Sequence, residues 1–577
     1  MTPKSKNYLR LLAVCIFVFQ FQILAAQKPQ SQDSIDSQLV SIVKPYTPKI
    51  SDAFKLKKTA VLGLSNASSK NLKYTIFSTP VASVFTPAKG TSVGLEKVKK
   101  VKLFQNYTSI GFGNYGTILA NVYLNHKLGR GGTMGGYIEH HSSQGGIEGL
   151  QLDDSFSTTG LQLNYSKTLK DRIWDTDLAL KRQAVNWYGL PYPTTAPIKP
   201  EQVYSDIALS TKLQFTKGVV RTGKIYVQRF TDAYSSQEFR VKADTDLQIN
   251  ILDNSFNSLV AIDYLKGSFS RSYLISEQKK YGNVQISAAP SYQYSNGNLD
   301  LSIGFKASYL MDSERTLNKF YIYPNIKASY SVVNSIVEAY AGLTGELIQN
   351  SFSAFTTINP FVSPTLDIRP SSTAFKFVVG TKGKLSQSLG YDVNGSYSRE
   401  EDKALFRSNS IANNSLLTNN YSHGNSFGVV YDAVNVFKLS AALEFDMSQK
   451  LNIKLIGDLY KYDSDSEPIA WNLPAVVASL FFDYQLADTW SLAGTLFYCG
   501  SREDTTNFVG LISPEPAVNE ALGSFLDANF QLEHELTPQW SAFIKVNNIV
   551  NNQYKRWNHY PVQGFQLLGG ASYKFDF

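Results

Sequence analysis

The residues whose types and spacing most suggest chemistry are His140, His141, Ser142 and Ser143, which are consecutive. Two adjacent imidazoles invite a metal-site interpretation, and a histidine beside a serine invites a serine-hydrolase interpretation. In an extended strand, however, His140 and His141 point to opposite sides and cannot bind one metal ion together. No motif places a base and an orienting group beside Ser142. We therefore predict no catalytic residue, no metal and no cofactor, and we expect that the protein is not an enzyme.

A second group of residues suggests ligand contact rather than catalysis. Phe355, Phe361 and Tyr421 lie in segments that we interpret as long loops. Aromatic rings present flat apolar faces that can stack on sugars and other ligands. These three residues are therefore candidate extracellular ligand-contacting aromatics, and a packing or interfacial role is the alternative.

The elements that must position these residues are strands. From about Tyr107 onward apolar and polar residues alternate, most clearly in 207–215, 299–309 and 526–532. Successive side chains of a strand point to opposite faces, so each stretch has one apolar and one polar face. No helical periodicity competes, and after residue 26 no apolar run approaches the ~18 residues of a spanning helix. The pattern predicts an all-β protein with a single large transmembrane antiparallel β-barrel.

The last strand supports this interpretation. Between 562 and 577, Phe577, Phe575 and Tyr573 fall on one apolar face, and the interleaved residues are mostly polar. In a membrane barrel such a strand pairs with the first strand, and its apolar face meets lipid. The alternative is the final strand of a soluble sandwich.

The connections predict how the barrel is oriented. Short periplasmic turns opposite long extracellular loops are expected in such barrels, and about 20–22 strands fit the chain, with an even number favoured. Trp174, Trp490 and Trp540 follow short connections, whereas Trp187, Trp471 and Trp557 adjoin long ones, as two interfacial girdles would require. Short connections fall near Lys170, Asn296, Val332, Gln449, Ala487 and Thr537. Long connections fall near 190–203, 352–371, 407–426, 502–520 and 549–561.

Composition agrees with a barrel. Of the 577 residues only 18% are charged, whereas 13% are aromatic. The formal net charge of +8 is spread over a large surface and gives no argument for binding nucleic acid.

The N-terminus has a different character from the rest of the chain. Residues 1–26 have the basic start, apolar core and small residues of a signal peptide, with cleavage predicted after Ala26. Residues 27–106 contain several prolines, which disfavour paired central strands, and they also contain a lysine cluster. We interpret 27–106 as a short periplasmic or lumenal N-terminal arm, and 107–577 as the barrel.

Three segments resemble the β-barrel of TonB-dependent receptors. They are "AWNLPAVVASLFFDYQL" (470–486), "FIKVNNIVNNQYKRWNHYPVQGFQLLGGASYKFDF" (543–577) and "INPFVSPTLDIRPSS" (358–372). The terminal Phe577, with Phe575 and Tyr573, is similar to the signal that the barrel-assembly machinery reads. That family also carries an N-terminal plug of well over a hundred residues, for which 27–106 is too short. The resemblance therefore implies a receptor-like barrel that lacks the plug.

Two functions follow as expectations. The first is a receptor or transporter barrel that binds or passes an unknown small solute across the outer membrane of a diderm bacterium. The second is a non-transporting outer-membrane scaffold whose periplasmic arm docks a partner protein. In both cases the expected contacts are outer-membrane lipid, the barrel-assembly machinery, and a periplasmic or outer-membrane partner.

Overall fold

The structure of the protein is a computed structural model. It describes residues 104–251, 254–333, 336–412, 419–448, 450–506, 508–509 and 518–577. The predicted signal peptide with its cleavage site at Ala26, and nearly all of the 27–106 arm, lie outside these residues.

Strands make up most of the described chain, and a single α-helix, α1 (Phe352–Ile358), accompanies them among the described residues. None of the described helical segments is long and apolar enough to cross a membrane. The strands are β1 (Asn106–Gly113), β2 (Thr117–Leu128), β3 (Gly132–Ser143), β4 (Phe156–Thr168), β5 (Arg172–Asn186), β6 (Glu201–Phe215), β7 (Val220–Asp232), β8 (Gln237–Ile251), β9 (Asn254–Phe269), β10 (Lys279–Asn296), β11 (Leu299–Asp312), β12 (Leu317–Val333), β13 (Val337–Ile348), β14 (Ser371–Ser386), β15 (Leu389–Ser408), β16 (Ile411–Ala412), β17 (Phe427–Ser448), β18 (Leu451–Ser464), β19 (Val476–Ala487), β20 (Trp490–Cys499), β21 (Arg502–Thr506), β22 (Phe508–Val509), β23 (Val518–Leu522), β24 (Phe525–Glu535), β25 (Trp540–Asn547), β26 (Lys555–Trp557), β27 (Tyr560–Pro561) and β28 (Gln566–Phe575).

Twenty-two of these strands form one closed antiparallel barrel. The closure is made by β1, in which Ile110 faces Ala120 of β2 on one side and Ala571 of β28 on the other. The predicted barrel, its even strand number and the pairing of the last strand with the first are confirmed. The six remaining strands, β16, β21, β22, β23, β26 and β27, form three small two-stranded sheets in the connections.

Apolar residues form the outer face of the barrel because strand side chains alternate. In β6, Ile207 and Leu209 are exposed, and each faces a residue of β5 in the pairing, Leu180 and Leu178 respectively. Ser210, the residue after Leu209, lies on the other face and lines a recess in the wall with charged residues. The alternation predicted in 207–215 is therefore the outer and inner face of one barrel strand.

The two ends of the barrel differ as predicted. The short connections, such as 169–171 between β4 and β5 and 297–298 between β10 and β11, lie at the end where β1 begins. The long connections, including 187–200, 349–370 and 548–565, lie at the opposite end. We call this second end the mouth of the barrel.

The tryptophans follow the predicted arrangement at one end only. Trp174, Trp490 and Trp540, near the short turns, are exposed and fit an interfacial girdle. Trp187, Trp471 and Trp557, near the long loops, are buried, so the prediction of a second girdle is wrong. The physical reason is that the long loops fold back over the mouth, so the aromatic residues beside them pack inside protein.

Candidate functional site

Four long connections pack together over the mouth and form the candidate site. We call them the loop cap, which comprises 187–200, 349–370, 409–412 with 419–426, and 548–565. Much of the cap is buried, including every residue from Asn359 to Leu366. A surface loop would leave its backbone in water, so this burial shows that the cap is a packed layer.

Hydrogen bonds join cap segments that are distant along the chain. The Tyr188 hydroxyl donates to the Pro561 carbonyl at 2.9 Å. The Asn425 side-chain amide donates to the Trp187 carbonyl at 3.0 Å, and the Tyr560 hydroxyl donates to the Asn425 carbonyl at 2.6 Å. Segments from three parts of the barrel rim are therefore held to one another above the lumen.

The 349–370 loop crosses the lumen. It leaves the wall at β13, yet the hydroxyl of Tyr204 on β6 donates to the carbonyl of Pro360 at 2.9 Å. Strands β6 and β13 are seven positions apart in the sheet. At ~4.8 Å per strand this is roughly 34 Å along the wall, too far for a contact made around the rim.

A carboxylate on the wall anchors the start of this loop. Glu238 of β8 accepts hydrogen bonds from the backbone N–H groups of Phe352 at 2.6 Å and Ser353 at 3.2 Å. The Tyr281 hydroxyl of β10 donates to the same carboxylate at 2.8 Å. The first N–H groups of a helix have no partner within the helix, and they favour negative charge. Glu238 therefore fixes α1 against the inner wall, and the Ser351 hydroxyl caps the helix by accepting from the backbone N–H of Ala354.

Aromatic packing fills the interior of the cap. The rings of Phe361 and Tyr560 stack with centroids 3.7 Å apart, and Trp187 meets Tyr421 edge-on at 5.5 Å. Such pairs stabilise by ~0.5–1.5 kcal/mol beyond their buried area. The buried core also includes Val185, Tyr204, Phe230, Leu265, Phe269, Tyr281, Phe352, Phe355, Val362, Leu366, Ile368, Phe406, Phe427 and Trp557.

The three candidate ligand-contacting aromatics all lie in this core. Phe355, Phe361 and Tyr421 are 2%, 8% and 1% exposed, respectively. Sequence reasoning placed them correctly in long connections but did not find that these connections fold inward. In this closed arrangement their faces contact protein, so a ligand would reach them only after the cap opens.

Burial sets the protonation of cap side chains. It raises the pKa of the Tyr188 and Tyr560 hydroxyls and brings that of Tyr421 to about 12, so all three remain hydrogen-bond donors at neutral pH. Burial also lowers the pKa of His559, an effect opposed by Glu520. The His559 Nε2 atom lies 3.5 Å from a Glu520 oxygen and 3.1 Å from the Thr506 hydroxyl oxygen.

The connection between β20 and β24 braces the cap. The Asp504 carboxylate accepts from the Ser408 N–H at 3.0 Å and from the Ser408 hydroxyl at 2.8 Å, and burial raises its pKa. The Arg502 guanidinium donates to the Lys555 carbonyl at 2.8 Å and also to the Arg556 carbonyl. These contacts join the end of β15 to the segments that follow β20 and β25 at the mouth.

The lumen wall near the short-turn end carries a charged recess of about 310 Å³. Asp175 and Asp177 of β5 line it with Lys212 of β6 and Lys224 of β7. The Ser166 hydroxyl donates to Asp175 at 2.6 Å. Two carboxylates and two ammonium groups provide donors and acceptors for a polar solute, whereas they offer little to an apolar one.

The histidine pair is divided between the two faces of β3, as predicted. His140 faces Thr159 and His141 faces Thr158 in the pairing with β4. Sequence reasoning missed that His140 and Ser142, two residues apart, share a face, with Nε2 3.1 Å from the hydroxyl oxygen. The other ring nitrogen meets the Thr159 hydroxyl at 2.8 Å, where a hydrolase triad would have a carboxylate. No group of three or more potential metal ligands occurs among the described residues.

The C-terminal residues proposed as an assembly signal form an aromatic ladder. Tyr573 and Phe575 stack at 5.5 Å, and Phe575 meets Phe577 edge-on at 5.4 Å. Phe577 is 81% exposed at the short-turn end. Recognition of these three residues by the barrel-assembly machinery stays a prediction.

The sequence matches no protein-family model and no curated protein. Solved structures are similar over 82% of this chain. The FrpB iron transporter from Neisseria meningitidis has a TM-score of 0.62 and 9% identity, with 82% of its chain covered. The pyoverdine outer membrane receptor FpvA from Pseudomonas aeruginosa, bound to pyoverdine, has a TM-score of 0.59 and 11% identity, with 78% covered. The siderophore receptor PiuA from Acinetobacter baumannii has a TM-score of 0.57 and 10% identity, with 82% covered.

These likenesses establish the fold. The chain has the 22-stranded barrel of outer-membrane receptors, which confirms the predicted resemblance to TonB-dependent receptor barrels. The predicted outer-membrane architecture is confirmed with it.

Proposed function

We propose that the protein is an outer-membrane receptor or transporter that binds or passes a polar solute, whose entry is controlled by the loop cap. The observation that carries this proposal is the inward path of 349–370, which Glu238 and Tyr204 hold against the inner wall. A scaffold that only presents an arm has no need of a lumen with a folded closure at its mouth.

The chemistry of the wall supports a polar solute. A solute that passes the cap meets the recess of Asp175, Asp177, Lys212 and Lys224 near the other end of the barrel. Paired charges of both signs suit a ligand with several hydrogen-bonding groups and low net charge. The names of the similar solved structures refer to iron, pyoverdine and siderophores, so ferric pyoverdine is the first probe to use.

The proposal can be tested by the conductance of the full-length protein in planar bilayers. The test variant combines Glu238→Gln with Tyr560→Ala, because both residues hold the closed cap. The matched control is Glu338→Gln, whose carboxylate pairs with Lys382 near the short-turn end. We expect larger or more frequent openings in the test variant than in the wild type or the control.

Binding is measured on the same three proteins with ferric pyoverdine as the probe. Saturable binding to the wild type that changes in the cap variant supports a receptor role for this chemical class. Two results together would overturn control by the cap. They are equal conductance in all three proteins, and hydrogen exchange of the backbone amides lining the lumen that is no faster in the test variant than in the wild type.

A further inference from the structure

We propose that four cations on the outer rim of the barrel form a binding site for the phosphorylated headgroup of a membrane lipid. They are Arg182 of β5, Arg229 of β7, Lys266 of β9 and Lys280 of β10, and we call them the rim cations. The proposal depends on the barrel lying in a membrane and not on which solute it handles.

The rim cations share one height on the barrel. Arg182 is four residues from the mouth end of β5, and Arg229 and Lys266 are each three residues from the mouth ends of their strands. Lys280 is the second residue of β10, which begins at the mouth. All four side chains are exposed. They therefore lie where the strands leave the apolar band and approach water.

Strand pairing places these side chains on the outer face. Arg229 pairs with Ile207 on one side and with Phe239 on the other, and Phe239 pairs in turn with Lys266. Ile207 and Phe239 belong to the exposed apolar face, at 50% and 43% exposure. Residues that pair directly share a face, so Arg229 and Lys266 point outward as well.

The same pairings show that the charges are close together. Arg229 and Lys266 are two strands apart in register, roughly 10 Å at ~4.8 Å per strand. Lys280 faces Ser268, two residues beyond Lys266 on the same side of β9. Arg182 faces Ser205, two residues from the Ile207 partner of Arg229. One headgroup can bridge Arg229 and Lys266, whereas the four charges from β5 to β10 extend over five strand spacings, roughly 24 Å, and accommodate adjacent headgroups.

The positive charge of this cluster is not neutralised by the protein. None of the four forms an ion pair among the described residues. Within the parts of β5 to β10 that the structure describes, Glu201 is the one carboxylate on the outer face. Arg399 on β15 is different, because it bonds Glu401 at 2.8 Å and Asp465 at 2.5 Å. Unpaired cations therefore concentrate on one side of the rim.

The position of the cluster decides which anion it fits. The apolar residues directly below it, such as Ile225, Ile262 and Ile286, face the hydrocarbon of the membrane. Lipid headgroups begin where that band ends, and clustered Lys and Arg beside a membrane attract anionic lipids. A phosphate at this level would receive charge-assisted hydrogen bonds from Arg229 and Lys266.

The test counts lipids that stay bound to the full-length protein in native mass spectrometry. Detergent micelles are doped with phosphatidylglycerol or with phosphatidylcholine. The test variants are Arg229→Gln, Lys266→Gln and their combination. The matched control is Lys461→Gln, because Lys461 lies three residues from the mouth end of β18 and pairs with the exposed Phe437, but Asp463 follows it two residues later on the same strand face.

We expect the wild type and the control to retain phosphatidylglycerol over phosphatidylcholine. Each removed rim charge should weaken that retention about fivefold, and the loss should grow at low salt. Equal retention of the two lipids by the wild type, or unchanged retention in the double variant, would overturn the proposal. Complete displacement by millimolar inorganic phosphate would show that a free anion, not a lipid, is the ligand. Electrophoretic mobility of the unheated proteins checks that every variant forms the barrel.

Discussion

The Glu238 carboxylate accepts the backbone N–H of Phe352 at 2.6 Å, which joins the inner wall of β8 to the first turn of α1. The two residues belong to barrel segments five strands apart, so this bond crosses part of the lumen. It shows that a connection of the barrel itself forms part of the closure at the mouth.

Replacing Glu238 with Gln should loosen α1. The amide cannot accept as strongly as the carboxylate, and its NH₂ group opposes the helix N–H donors. Loss of charge-assisted hydrogen bonds at a site 3% exposed costs about 1.5–3 kcal/mol. Hydrogen exchange of amides 352–358 should become roughly tenfold to a hundredfold faster. Unchanged exchange there, with Glu338→Gln as reference, would contradict the assignment of Glu238 as an anchor.

Two substitutions at Tyr560 should separate its ring from its hydroxyl. Tyr560→Phe keeps the stack on Phe361 and loses one hydrogen bond to the Asn425 carbonyl, at a cost of about 1 kcal/mol. Tyr560→Ala also empties a buried aromatic site and should cost about 3–5 kcal/mol of local stability. Limited proteolysis of the 187–200 connection measures the difference. Tyr192→Ala, at a residue 54% exposed in that connection, is the control and should change little.

The cap should be less stable in acid because of His559. Burial lowers the pKa of His559 in the folded cap below its value in an open chain. The open cap therefore binds the proton more tightly than the closed cap does. The closed cap is most stable above about pH 6.5, and its stability falls as the pH drops through that value toward the pKa of His559 in the folded protein. The protection factors of amides 555–560, which remove the intrinsic pH dependence of hydrogen exchange, should fall as the pH is lowered from about 7 to about 5, across the ordinary imidazole pKa of about 6.5.

Replacement of the imidazole checks this assignment. His559→Gln should flatten the acid response, and His126→Gln on β2, away from the cap, should leave it as in the wild type. Burial also lowers the pKa of His423 in the cap. If the acid-dependent loss of amide protection remains in His559→Gln and disappears in His423→Gln, then His423 and not His559 is the responsible group.

An introduced positive charge should lower the stability of the barrel by very different amounts at two adjacent residues of β6. Leu209 is on the outer face near the middle of the strand and 46% exposed, whereas Ala208 is on the inner face. Leu209→Arg should cost about 2–4 kcal/mol because it places a cation in hydrocarbon, and Ala208→Arg should cost less than about 1 kcal/mol. Denaturant unfolding from lipid vesicles measures both. Equal costs would contradict the assignment of faces.

The sequence by itself determined the barrel. The alternation in 207–215 and 299–309 reports which side of a strand each residue occupies, because it follows from backbone geometry alone. The lengths of the connections identified the two ends, and Trp174, Trp490 and Trp540 marked the interface at the short-turn end.

Only the tertiary structure decided where the long loops go. Tyr188 and Pro561 are 373 residues apart in the chain and share a hydrogen bond, a contact that no local pattern encodes. The same inward path buried Phe355, Phe361 and Tyr421, which sequence position had suggested as exposed ligand contacts. The physical reason is that a strand's faces are fixed by its own repeat, whereas a loop's path is chosen by the partners that satisfy its backbone and bury its aromatic rings.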